Sequence, residues 1–167
     1  SSVNHPTEFT RDSMSIKTKI LAGESKPSPS VQVVLECTPF YSESGGQVSD
    51  TGRISNGQVS IEVRDVKVVD SVYVHIGTQK KGLLRDLMKT QEVVAEIDSL
   101  RRWDIMRNHT VTHLAQAALR KVLGDQVKQS GSYVGPDYMR FDFSHHQPMT
   151  AEEIREVEEI VNGEIIK

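Results

Sequence analysis

Between residues 31 and 97 the apolar positions come in short β-branched runs broken by polar residues. They are Val31-Gln32-Val33-Val34-Leu35, Val59-Ser60-Ile61-Glu62-Val63, Val66-Lys67-Val68-Val69, Val72-Tyr73-Val74-His75-Ile76 and Val93-Val94-Ala95-Glu96-Ile97. A period of two sends successive side chains to opposite faces of a strand. Turn-forming clusters separate the runs, among them Ser44-Gly45-Gly46, Asp50-Thr51-Gly52, Ser55-Asn56-Gly57 and Lys81-Gly82. The pattern predicts several short strands with no helix between them, and so a small β-barrel or sandwich over residues 1–100. Ser25-Lys26-Pro27-Ser28-Pro29-Ser30 reads as a surface loop.

The period changes at residue 98. Asp98 and Ser99 are good N-caps for a helix that runs to Leu123, where Gly124 suits a left-handed cap. Two strands are predicted next, over 127–134 and 138–143, joined by Gly135-Pro136-Asp137. In the second, Met139, Phe141 and Phe143 face one way and Arg140 and Asp142 the other. A second helix opens at Thr150. Glu153 completes a capping box, Met149 and Ile154 form a hydrophobic staple, and Ile154, Val157, Val161 and Ile165 make its apolar stripe. The fold class expected is α+β: a barrel over 1–100, then the N-terminal part of an α+β domain over 101–167. No internal repeat occurs.

Composition narrows the class. With 167 residues, 37% hydrophobic and 26% charged, the chain has the make-up of a globular protein rather than a disordered one. Its apolar runs are too short for a helix to span a bilayer, no secretory segment opens it, and no membrane partner is expected. The lone Cys37 excludes a disulfide framework and a self-contained Cys-rich zinc site, and it suits a reducing compartment such as the cytoplasm. The chain opens Ser1-Ser2 and stops at Lys167 within a helical run, which reads as a piece of a longer protein.

A net charge of −3 argues against attraction of the whole surface to nucleic acid. The charge is uneven, however. Arg101, Arg102, Arg107, Arg120, Lys121, Lys128 and Arg140 outnumber Asp104, Asp125, Asp137 and Asp142, whereas the segment from Ala151 onward is acidic. An anion is expected to meet the middle of the chain.

His109-Thr110-Val111-Thr112-His113 carries the first candidate chemistry. Residues four apart stack on one helix face, and two imidazoles so placed make half of a tetrahedral zinc site. Ile105, Met106 and Ala117 share that face, so the rings are expected to point toward the core. Two histidines satisfied by hydrogen bonds there would read the same way. Thr110 stands where a zinc protease carries its glutamate, which disfavours proteolysis. The second candidate is Gly45-Gly46-Gln47: paired glycines admit a close backbone approach to a ligand, or simply make a tight turn. The third is Gln129-Ser130-Gly131-Ser132, whose serines can approach the imidazoles from the strand after the histidine helix. Cys37 and Trp103 read as core residues and His145-His146 as exposed loop. Arg101, Arg102 and Arg107 either solvate the helix start or contact phosphates.

Taken in order, these motifs resemble a known family. Thr38 to Gly52, Arg101-Arg102, Asn108 to Leu114, Ala118 to Gly124, Gln129 to Ser132 and Arg140-Phe141-Asp142-Phe143-Ser144-His145 together are similar to the editing region of alanyl-tRNA synthetases and the related free-standing alanyl-tRNA editing proteins. The resemblance covers nearly the whole chain. It implies a β-barrel followed by an α+β editing core of the kind shared with threonyl-tRNA synthetase. The implied activity is ester hydrolysis on mischarged Ser-tRNA(Ala), and on Gly-tRNA(Ala), inside an ATP-dependent ligase of protein biosynthesis. A site that hydrogen-bonds the extra hydroxyl of serine discriminates far better than a pocket that must merely exclude it.

By the same resemblance Ser130 senses the serine side chain, Gln129 lines the pocket with it, and Gly45, Gly46, Gln47, Arg101 and Arg102 handle the tRNA end. The family's zinc takes His109 and His113 plus a Cys-x-x-x-His pair. That pair does not occur in this chain, so the other two ligands are expected beyond residue 167. Three alternatives stay open: a stand-alone trans-editing protein, a tRNA-binding scaffold without catalysis, and a barrel interaction module with no tRNA role. A homodimer formed over an apolar edge is also left open.

Overall fold

The computed structural model of the chain describes residues 6–27 and 29–166. Ser28 of the expected surface loop, the opening Ser1-Ser2 and the final Lys167 lie outside the described residues.

The elements in order are β1 (Glu8–Phe9), β2 (Ser15–Ser25), β3 (Ser30–Leu35), β4 (Cys37–Thr38), β5 (Gly52–Ser55), β6 (Ser60–Val69), β7 (Val72–Lys81), α1 (Leu84–Thr90), β8 (Glu92–Ile97), α2 (Ser99–Leu123), β9 (Lys128–Val134), β10 (Met139–Ser144) and α3 (Ala151–Ile165). The chain divides into two compact units. One takes the chain up to Ser44 with Ser49–Arg102; the other takes Gly45–Val48 with Trp103 onward.

In the first unit six strands close into a barrel in the order β2-β3-β7-β6-β5-β8, and β8 pairs back onto β2. Every neighbouring pair is antiparallel. Closure leaves the barrel strands no free edge. Ile20, Val33, Leu35, Ile54, Ile61, Val66 and Ala95 are at most 1% exposed, so the period-two pattern of the sequence is also the pattern of burial.

The expectation of strands without an intervening helix is corrected by α1, whose Leu84 and Leu87 are buried in the barrel's core cluster. Seven residues are too few to hold a helix by propensity, and Leu83 at its N-cap offers no capping side chain. Burial of the two leucines holds it instead. The runs at 59–63 and 66–69 belong to one strand, β6, whose register shifts between Val63 and Asp65. Strands β2 and β5 were not marked by β-branched runs. Thr18 and Ile20 nevertheless alternate inward along β2.

In the second unit β9 and β10 pair as an antiparallel hairpin. Leu119, Leu123 and Val127 form a small core, against which Val122, Phe141, Phe143, Met149 and Val157 pack. Gly124 adopts φ +104° and its N–H donates to Arg120 O at 2.9 Å, closing the helix as expected. The capping box also forms: Glu153 N–H donates to Thr150 Oγ1 at 3.2 Å, and Thr150 N–H to Glu153 Oε2 at 2.8 Å. No residue of α3 is fully buried, and Ile154 and Ile165 of its predicted stripe are exposed. Trp103, expected in the core, is 49% exposed because it stands off the covered stripe of α2.

Candidate functional site

The segment Gly45–Val48 belongs to the second unit because it lies along β9. Val134 N–H donates to Gly46 O at 2.8 Å and Val48 N–H donates to Val134 O at 3.0 Å, making a parallel bridge at Gln47. Gly46 has φ +84°, and a Cβ there would collide with the hydroxyl and carbonyl oxygens of Ser132. Only glycine meets both conditions. Ser132 Oγ donates to Gly45 O at 3.3 Å. The paired glycines therefore let the loop seat against a strand, and the seating aims Gln47.

Gln47 is 9% exposed and its Oε1 lies 2.6 Å from His109 Nδ1. On the far side of that ring, His109 Nε2 lies 3.1 Å from His113 Nε2, with the ring centroids 4.9 Å apart. The covered stripe of α2 runs through Ile105, Asn108, Thr112, Ala115, Leu119 and Leu123. His109 and His113 stand one step round the helix from it and are exposed, not turned to the core as the sequence suggested; Met106 and Ala117 are exposed with them. Ile105 alone of the expected companions is fully buried.

Partial burial, and then the neighbouring His113, hold the His109 imidazole below its ordinary pKa of 6.5. At neutral pH the ring is uncharged and carries a lone pair. In a tetrahedral zinc site with Zn–N bonds of 2.0–2.1 Å, two ligand nitrogens stand about 3.3 Å apart. The 3.1 Å between the two Nε2 atoms is close to that bite. The pair thus fits two of four zinc positions. Among the described residues no group of three or more His, Cys, Asp or Glu gathers to complete a set.

Asn108, which the sequence reading did not single out, pins the β9–β10 turn to α2. Its Nδ2 donates to Gly135 O at 2.8 Å and to Pro136 O at 3.1 Å. The pairing of β9 with β10 jumps from Gly131↔Asp142 to Gln129↔Phe143, leaving Ser130 as an unpaired extra residue. A bulge of this kind re-aims side chains and recurs beside functional sites. Gln129 and Ser130 are both exposed on it. Elsewhere in the second unit His145 is half-buried, with neither ring nitrogen hydrogen-bonded, while His146 is exposed.

The two arginines lie in the first unit. Arg102 is 6% exposed, and four of the five N–H groups of its guanidinium are hydrogen-bonded. Nε donates to Asp50 Oδ1 and Oδ2 at 2.9 and 3.0 Å, Nη2 donates to Pro39 O at 2.9 Å and pairs with Asp50 Oδ2, and Nη1 donates to Arg11 O at 3.4 Å. Asp50 in turn accepts Tyr41 N–H at 2.7 Å. Arg102 is therefore a structural anchor, buried and spent mainly on Asp50 and Pro39 rather than turned to a phosphate. Arg101 Nη1 donates to Ser49 O at 2.8 Å, and the side chain is only half-buried. Cys37, expected to be buried, is half-exposed. Its thiol is pushed up from the ordinary value by burial and then by Glu8.

Comparison with known proteins follows the same residues. The family model described as tRNA synthetases class II (A) matches residues 6–101. The chain is similar to an alanine--tRNA ligase of Thermoanaerobacter sp., 45% identical over 152 residues that make up 90% of this chain and 17% of that protein. It is 49% identical over 153 residues to the alanine--tRNA ligase of Acetivibrio thermocellus, covering 91% of this chain and 17% of that protein. With the alanine--tRNA ligase of Paraburkholderia phytofirmans it shares 52% identity over 137 residues, 80% of this chain and 15% of that protein. The chain thus spans only 15–17% of the length of these curated relatives. No helix among the described residues is long and apolar enough to cross a membrane.

Proposed function

The chain belongs to the class II (A) tRNA synthetases, and from that membership we propose that it is editing machinery of an alanine--tRNA ligase, acting on the ester of mischarged Ser-tRNA(Ala) and Gly-tRNA(Ala). The observation that carries the reading is the aligned pair His109 and His113, with Nε2 atoms 3.1 Å apart on an exposed helix face. An acylated 3′ terminus has to reach its catalytic groups from solvent, and an exposed imidazole pair permits that.

His109 and His113 would hold a zinc ion through their Nε2 atoms. When bound, the metal supplies a Lewis acid that polarises the ester or a water, or orients the substrate. Gln129 and Ser130, presented by the bulge in β9, line the pocket for the aminoacyl group. Ser130 offers its hydroxyl as the hydrogen-bond partner of the serine side chain, a contact that the alanine ester cannot make. The exposed backbone around Gly45 meets the tRNA end, and Arg101 keeps donors for phosphate. Arg102 is left out of that contact by its burial with Asp50.

The test is deacylation of Ser-tRNA(Ala) by the full-length ligase. His109→Ala with His113→Ala abolishes it while aminoacylation with alanine persists. Undiminished deacylation by the double variant overturns the reading. A second reading applies to the 167-residue chain alone: with only two metal-ligating side chains together among the described residues, it binds tRNA as a scaffold and does not hydrolyse. Chelator-sensitive single-turnover deacylation by the isolated chain removes that second reading.

A further inference from the structure

The two histidines have unequal surroundings, and the inequality fixes where their protons sit. A carboxamide oxygen accepts hydrogen bonds and cannot donate them. Gln47 Oε1 at 2.6 Å from His109 Nδ1 therefore requires that nitrogen to carry the proton. In the neutral ring His109 Nε2 is then the bare lone pair, and the 3.1 Å contact with His113 is a hydrogen bond only if His113 Nε2 donates. A single chain of hydrogen bonds runs from His113 Nε2–H through the His109 ring to Gln47.

We propose that Gln47 is a positioning residue that locks His109 as the Nδ1–H tautomer, so that a divalent cation captured at this pair has to re-tautomerise His113 alone. Water favours the opposite tautomer of imidazole, and an unsupported His109 would present N–H rather than a lone pair at Nε2. An acceptor on the second ring nitrogen both orients a metal-binding histidine and raises its basicity. The glycine pair explains why the loop can deliver the acceptor. Gly46 lets the backbone bond to Val134 and close onto Ser132, and Gln47, one residue on and 9% exposed, is held where its amide meets the ring. The function assigned to Gly-Gly-Gln is thus partly internal: it sets the protonation pattern of a histidine sixty-two positions away in sequence. The metal half of this inference rests on the zinc reading above, whereas the tautomer half stands on the hydrogen-bond geometry.

Long-range nitrogen-15 NMR of the imidazoles tests it on the metal-free chain at a pH of about 8. His109 is expected to show a protonated Nδ1 and a bare Nε2, and His113 the reverse. Gln47→Leu moves His109 toward the Nε2–H form, and Gln47→Glu, which still offers an acceptor, restores the original pattern. On addition of Zn²⁺ the nitrogen shifts of His113 exchange character while His109 keeps its Nδ1 proton, and Gln47→Leu weakens Zn²⁺ binding about 10–100-fold. A bare Nδ1 on His109 in the unsubstituted chain, or a His109 pattern indifferent to Gln47→Leu, overturns the proposal; the first readout needs no variant to fold. If the metal-free pattern is as stated but Zn²⁺ changes neither ring, the zinc reading fails and Gln47's control of the tautomer stands.

Discussion

The molecule holds imidazoles in two opposite ways. In the barrel unit His75 is fully buried, its Nε2 2.7 Å from Thr38 Oγ1, its Nδ1 3.1 Å from Val33 O, and the Phe40 ring edge-on at 5.3 Å. Both nitrogens are occupied and burial pushes the pKa down to about 4. In the second unit His109 and His113 are exposed, and each turns an Nε2 toward the other rather than toward a backbone group. The contrast extends to the packing. One unit closes its sheet and buries a continuous core, while the other gathers a few residues around Leu119, Leu123 and Val127 and leaves α3 without a buried side chain. A histidine whose nitrogens are both satisfied inside a barrel is part of the fold. A histidine with one nitrogen held by an amide and the other paired only with a second exposed imidazole is not part of the core.

The sharpest way to break this comparison is at the barrel's buried charge. Asp50→Ala leaves the Arg102 guanidinium buried without its partner and should cost about 3–5 kcal/mol. Urea unfolding followed by circular dichroism measures it, and a cost near zero would return Arg102 to the list of available phosphate contacts.

Acid is the next probe. Below pH about 6.5 the unfolded chain takes up a proton that folded His75 refuses until about 4. Stability is therefore complete above pH about 6.5 and declines as pH falls toward 4, by about 3 kcal/mol in all. Amide exchange in β6 and β7 follows the loss in the barrel itself. Replacing His109 and His113 by Asn should leave most of that slope intact; a slope that vanishes with them would place the sensitive imidazole on α2 instead.

The smallest effect is expected in the second unit. Thr150→Ala removes one half of the capping box of α3, costing about 1 kcal/mol. Exchange of the first-turn amides of α3 reports it, and barrel amides should not respond.

Much of this architecture was legible because its causes are local. Runs such as 31–35 and 93–97 alternate with the strand period, and Thr150 with Glu153, or Leu123 before Gly124, are end signals that act within a few residues. Helix α1 was not legible, since its stability comes from two leucines buried in a core assembled from distant strands. The merger of two runs into β6 escaped for a related reason: the register shift after Val63 depends on the partner strand β7. At the candidate site the spacing of His109 and His113 announced that the rings share a face, yet the sequence turned that face inward. Which side a helix covers is set by the stripe through Ile105, Leu119 and Leu123, and His109 lies only a fraction of a turn from it. For Arg102 the residue type suggested phosphate, and the tertiary partner Asp50, fifty-two positions away, decided otherwise.

The order of residues by itself determined a strand-rich first part, a long helix carrying two imidazoles in register, a capped second helix and the family to which the motifs belong, because periodicity, capping and motif spacing act over short stretches of chain. Only the folded molecule decided which polar groups meet. The Gly45–Val48 segment had to bond along β9 before Gln47 could reach His109, and β9 had to pair with β10 before Ser130 could be extruded as a bulge. Such contacts join segments tens of residues apart, and a hydrogen bond needs its two partners placed within a few tenths of an ångström, a condition that only packing can meet.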